Sequence, residues 1–95
     1  MDAINQRRNA VVTGTSGIGL GTTLRLAADG FNVTVCGIDE KANAAARKQC
    51  GNLAVDVVTL DVSDADAVAA FAEDLSTRID GLDALINAAG IQTYG

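Results

Sequence analysis

Seven consecutive residues, Thr13-Gly14-Thr15-Ser16-Gly17-Ile18-Gly19, carry the densest chemical signal in this sequence. Glycine has no Cβ, so a backbone rich in it can turn tightly and bring its N–H groups close to an anion. A helix that opens inside such a cluster starts with amides that have no intrahelical carbonyl, and those amides suit phosphate groups. An ordinary glycine-rich turn is the competing explanation, because the spacing G-x-G-x-x-G is absent. A second candidate is Asp39, placed 20 residues after Gly19. Its carboxylate could accept hydrogen bonds from sugar hydroxyls, or it could cap a following helix, and the sequence leaves both open.

The chemistry depends on the elements around these residues. Residues 10–13 are short, apolar and β-branched, which predicts a strand running straight into the glycines. Residues 18–28 place Leu20, Leu24, Ala27 and Ala28 at helical spacing, and Asp29-Gly30 supplies a stop. A second strand is expected over 32–36, ending near Gly37 just before Asp39. The Ala-rich stretch 40–49 predicts a second helix, and residues 55–60 a third strand. Ser63, with Asp66 three residues on, reads as the N-cap of a third helix whose Val68, Phe71, Ala72, Leu75 and Ile79 form one stripe. Residues 82–87 complete the pattern as a fourth strand.

An order β-α-β-α-β-α-β predicts an α/β fold with a parallel sheet between helical layers. Right-handed crossovers and double winding give the strand order 3-2-1-4, with the first two helices on one face and the third on the other. Ligands bind such sheets at the switch point, here between strands 1 and 4.

Composition narrows the function further. At 95 residues the chain allows one domain, and its core must be aliphatic, since Phe31, Phe71 and Tyr94 are the only aromatics. Seven basic against twelve acidic residues, net charge -5, offer no footprint for nucleic acid. No apolar run approaches membrane-spanning length and no signal peptide is visible, so a cytoplasmic protein without a membrane partner is expected. Cys36 and Cys50 lack metal-ligand spacing and the chain has no His, so no metal site is expected and both thiols read as small apolar residues.

Three stretches in order then resemble the short-chain dehydrogenase/reductase family: Thr-Gly followed by Gly17-Ile18-Gly19, then Leu60-Asp61-Val62-Ser63-Asp64, then Leu85-Ile86-Asn87-Ala88-Ala89-Gly90. The resemblance spans nearly the whole chain and implies a partial Rossmann-type doubly wound sheet, a single incomplete dinucleotide-binding domain over 1–95. It implies that Gly14, Gly17, Ile18 and Gly19 line a pyrophosphate, with Thr15 and Ser16 of the same turn in the cofactor site, and that Asp61 and Val62 contact the adenine. Asn87, Ala88, Ala89 and Gly90 would steady the sheet beside the cofactor. From the residues alone, Asp61 could instead cap the helix that follows, and Asn87 could bridge strands.

The sequence departs from the family pattern in three places. The family's turn, Thr-Gly-x-x-x-Gly-x-Gly, has here only Thr15 and Ser16 between Gly14 and Gly17, which predicts weakened cofactor affinity. Ala88 stands where the family has a second Asn. The NAD-selecting acid of the family aligns with Gly37 rather than Asp39, but no Arg or Lys stands at Thr15, Ser16, Gly37 or Ile38, and Asp39 would repel a 2′-phosphate. The cofactor is therefore expected to be NAD or NADP, with NAD favoured.

The family's substrate-holding Ser and its Tyr-x-x-x-Lys pair have no counterpart here: Tyr94 is followed only by Gly95, and Lys41 and Lys48 lie far upstream. These 95 residues are thus expected to hold a dinucleotide but to be inactive alone, with no catalytic residue among them. A non-catalytic dinucleotide sensor, or an interaction protein that has lost the nucleotide, stays open as an alternative. The apolar fourth strand, as an uncovered sheet edge, predicts self-association.

Overall fold

A computed structural model describes residues 8–88. Four strands and three helices alternate: β1 (Asn9–Thr13), α1 (Ile18–Ala28), β2 (Asn32–Gly37), α2 (Glu40–Cys50), β3 (Val55–Thr59), α3 (Ala65–Arg78) and β4 (Ala84–Asn87). The strands form one sheet in the order β3-β2-β1-β4, and each neighbouring pair is parallel. Both the fold class and the strand order expected from the sequence are borne out.

Alternation along the strands sorts the core onto two faces. Val12, Val33, Val35 and Val57 point to one side and pack with Ala27 of α1 and Ala46 of α2. Val11 and Cys36 point to the other and meet Leu75 of α3, with Phe71 and Ile79 partly buried around them. The first two helices therefore share a face and α3 takes the opposite one. Each fully buried Val contributes roughly 2 kcal/mol. β2, flanked on both edges and covered on both faces, is buried from Val33 to Gly37, as its β-branched sequence requires.

Where the elements differ from expectation, single residues explain it. In α1 the fully buried stripe is Gly19, Thr23 and Ala27, with Leu20 and Leu26 only partly buried. The smaller residues face the sheet because the glycine turn brings the helix start close to the strands. α2 continues to Cys50, which lies four residues after Ala46 and seven after Asn43 on one buried stripe, and Gly51 ends it at φ 54. β4 starts at Ala84 instead of residue 82. Asp83 Oδ2 takes the Asn9 amide at 2.7 Å, while the Asp83 N–H donates to Asn9 O at 2.8 Å, so the chain enters the strand through a side-chain bond.

The cap of α3 is Asp64, not Ser63: Asp64 Oδ1 accepts from the Ala67 N–H at 3.2 Å. Ser63 is occupied elsewhere, donating from both its N–H and its hydroxyl to Asp61 Oδ1. An ionised acceptor suits the helix dipole better than a hydroxyl, which decides between the two neighbours.

Candidate functional site

Parallel register carries the ends of all the strands to one edge of the sheet. Thr13 pairs with Cys36 on one side and with Asn87 on the other, and Gly37 pairs with Thr59. The segments that leave those ends surround a hollow of about 270 Å³, lined by Thr13, Gly14, Thr15, Ser16, Cys36, Gly37, Ile38, Asp39, Ala42, Leu60, Asp61 and Val62. Three distant stretches of sequence meet here, from the ends of β1, β2 and β3, and no Lys or Arg is among the lining residues.

The glycine turn forms the floor. Its entry is tied to β2 by the Gly14 N–H, which donates to Cys36 O at 2.7 Å. Gly14 at φ 108 and Gly17 at φ 56 adopt backbone angles that a side chain would strain. At Gly19 the constraint is proximity. A Cβ there would collide with the Gly14 carbonyl oxygen and lie 2.7 Å from the Gly14 carbonyl carbon. The turn thus folds back onto the first turn of α1.

That helix end differs from the other two. Gly17 offers no side-chain cap and no acid occupies the first turn. By contrast Asp39 caps α2 with Glu40 behind it, and Asp64 caps α3 with Asp66 behind it. The Gly19 N–H bonds Ser16 O at 3.2 Å and the Gly21 N–H bonds Gly17 O at 3.1 Å, whereas Gly17, Ile18 and Leu20 have no intrahelical carbonyl to reach. Ser16, Gly17 and Ile18 are exposed. An uncapped, acid-free helix start with glycine at its approach has the electrostatics of an anion site.

Of the remaining candidates, Asp39, Asp61 and Val62 line the hollow, whereas Asn87 and Ala88 at the end of β4 are not among its lining residues. Asp39 fulfils its capping alternative, accepting from the Lys41 N–H at 2.9 Å, and also faces the hollow. Asp61 Oδ1 accepts from the Ser63 hydroxyl at 2.6 Å and the Ser63 N–H at 2.9 Å. These bonds hold its carboxyl below the usual carboxylate range, the side-chain bond most of all. Val62 stands beside it, 52% exposed. Asn87 bridges strands: its Oδ1 accepts from the Thr13 hydroxyl at 2.7 Å across the β1–β4 seam. Ala88 follows and is buried. Ala89 and Gly90 lie outside the described residues.

A family model described as short chain dehydrogenase matches residues 8–95. The chain belongs to the short-chain dehydrogenase family. It is 44% identical over 88 residues to the "Probable oxidoreductase EphD" of Mycobacterium tuberculosis, covering 88% of this chain and 15% of that protein. It is 38% identical over 88 residues to the 3-oxoacyl-[acyl-carrier-protein] reductase FabG of Staphylococcus aureus, covering 88% of this chain and 36% of the relative. Among solved structures, the F189W actinorhodin polyketide ketoreductase with NADPH aligns with a TM-score of 0.77 at 32% identity, covering 85% of this chain and 32% of that one. This short-chain dehydrogenase sequence therefore spans little more than a third, or less, of these relatives.

Within this short-chain dehydrogenase domain, sequence reasoning missed the layer beneath the turn. Asn43 of α2 is fully buried, and its Nδ2 donates to Gly37 O at 2.9 Å and to Thr59 Oγ1 at 3.1 Å. The Thr59 hydroxyl in turn donates to Glu40 Oε2 at 3.1 Å. A polar Asn among the alanines of 40–46 was the available signal. Thr15 lines the hollow, and its side chain is buried against Gly37, leaving 5% exposed. A larger hollow of about 500 Å³ lies at the opposite edge of the sheet. Its Arg78 pairs with exposed Asp56 and Asp74, a solvated arrangement of little energetic weight.

Proposed function

We propose that this chain is the dinucleotide-holding portion of an NAD(P)-dependent oxidoreductase that interconverts an alcohol and a carbonyl. The observation that carries the reading is the uncapped start of α1, reached through a glycine turn whose Gly14, Thr15 and Ser16 line the hollow at the strand ends. Amides of Gly17, Ile18 and Leu20 would face the pyrophosphate, with Gly14 and Gly17 keeping the approach free of Cβ atoms and Gly19 letting the helix start close against Gly14. Asp39 would accept from the ribose hydroxyls through the carboxylate that also caps α2. Asp61, with its carboxylate anchored by Ser63, and Val62 would border the adenine. Asn87, Ala88, Ala89 and Gly90 would support the sheet under the nicotinamide end.

When bound, the cofactor supplies hydride exchange at its nicotinamide ring. The part played by these residues would be to bind and orient the cofactor. NAD is favoured over NADP: the hollow has no Lys or Arg, Ile38 is exposed at its edge, and Asp39 would repel a 2′-phosphate. Calorimetric titration with NAD and NADP tests the proposal. NAD is expected to bind in the range of tens of micromolar or weaker, with NADP weaker still. A dissociation constant near or below about 1 μM would refute the weakening assigned to the short turn. Absence of any binding would refute the dinucleotide reading.

The 95-residue chain is also expected to self-associate through β4, the outermost strand beside β1, whose Leu85 is 65% exposed. The backbone edge of a strand is complementary to a second copy of itself. Light scattering that gives one monomer mass across concentrations would contradict this.

A further inference from the structure

Thr15 sits in the middle of an exposed turn, yet it is only 5% exposed, while Ser16, Gly17 and Ile18 beside it are open to solvent. Its side chain occupies the space that a Cβ at Gly37 would need. Such a Cβ would meet Thr15 Oγ1, and would lie 2.7 Å from Thr15 Cγ2 and 2.5 Å from Asn43 Oδ1. Gly37 is buried and its φ is not positive, so proximity rather than backbone angle calls for glycine there.

Asn43 completes the arrangement. Its Nδ2 fixes the Gly37 carbonyl and reaches Thr59 on β3. Its Oδ1 is buried without a hydrogen-bond partner among the described residues, held against the Gly37 Cα beside Thr15. A buried, unpaired amide oxygen costs stability, and here it belongs to the side chain that holds the end of β2 in place beneath the turn. The turn has only Thr15 and Ser16 between Gly14 and Gly17. With so few torsions to set its amides, one anchored side chain at its centre governs their direction.

We propose that Gly37 and Asn43 are positioning residues for the dinucleotide turn, forming a socket into which the Thr15 side chain plugs so that the amides of Gly17, Ile18 and Leu20 face the pyrophosphate before it arrives. The inference rests on the reading of this turn as the dinucleotide site. It adds that the affinity of the short turn depends on a contact made beneath it, between Thr15 and the end of β2. Preorganisation of this kind removes an ordering cost from binding.

The test compares two ligands. NAD engages the turn through its phosphates, whereas adenosine engages only the rim formed by Asp39, Asp61 and Val62. Thr15→Gly empties the socket without adding bulk. NMR titration is expected to give an NAD dissociation constant about tenfold or more above that of the unaltered protein, with adenosine affinity unchanged. Thr15→Ser, which keeps Oγ1, is expected to restore most of the NAD affinity, and Gly37→Ala to lower it as Thr15→Gly does. If Thr15→Gly loses its fold by circular dichroism, Thr15→Ala replaces it with the same expectation. Equal NAD affinity in Thr15→Gly and the unaltered protein would overturn the socket, as would a parallel loss of adenosine and NAD. No NAD binding by the unaltered protein would overturn the dinucleotide reading first, and the socket with it.

Discussion

Gly19 and Gly21 stand two residues apart in α1, and replacing each by Ala should have opposite effects. By helix propensity alone both changes stabilise, by about 1 kcal/mol each. Gly21 meets nothing within 4 Å of its added Cβ, so Gly21→Ala should realise that gain and raise the melting temperature by roughly 4–8 °C. At Gly19 the new methyl would strike the Gly14 carbonyl oxygen, with the Gly14 carbonyl carbon 2.7 Å away. Those atoms are backbone, tied to β2 through the Gly14 N–H and Cys36 O at 2.7 Å, so no flexible side chain can give way. Overpacking against a rigid neighbour costs about 3 kcal/mol or somewhat more, which leaves a net loss of about 2 kcal/mol and a melting temperature roughly 8–16 °C lower. Thermal and urea denaturation of the two variants supply the comparison, and NAD titration should show Gly19→Ala binding markedly more weakly while Gly21→Ala is little changed. Equal stability changes in the two variants would refute the claim that α1 is packed onto the turn.

Three other outcomes follow from individual groups. Thr23 is fully buried, and its hydroxyl has no partner among the described residues; Thr23→Val keeps the shape, removes the orphan group and should raise the urea midpoint by an amount equivalent to about 1 kcal/mol. The Cys36 thiol is pushed up to about 11, by burial first and by the Asp56 charge second. A raised folded-state value means that this contribution to stability is complete below the ordinary thiol range and is lost as pH rises through about 9 to 11. Denaturation at stepped alkaline pH should show that fall, reduced in Cys36→Ala. Ser63→Ala removes the hydroxyl that chiefly lowers the Asp61 carboxyl, so NMR titration should find the Asp61 value shifted upward; an unchanged value would disprove the assignment of that cause.

Much of this molecule could be read from its residues in order. β-Branched runs, helical spacing and Gly or Asp-Gly stops located all seven elements, because local propensity and hydrophobic period agree at each of them. The strand order followed from handedness and short connections, which depend on chain geometry more than on side-chain detail. The glycine turn was legible for the same reason: strand, glycines and helix are contiguous, so the context that gives the motif meaning lies within twenty residues of it. Boundaries were less secure where a side chain takes over a backbone bond, as Asp83 does for the Asn9 N–H and Asp61 does for the Ser63 N–H.

The tertiary structure alone decided which face of each residue is used. Thr15 reads as a ligand contact within its own motif, and only the approach of β2 and α2 turns its side chain inward against Gly37. Asn43 drew no role from its place on an Ala-rich helix, because only parallel pairing brings Gly37 and Thr59 within reach of its one amide. Asp39 could have served the helix or the hollow, and its position at the junction gives it a place in both. Sequence order fixes which elements form because each depends on neighbours along the chain. Contacts between residues twenty or more positions apart depend on the distances that packing sets, and no spacing rule within a single segment contains those.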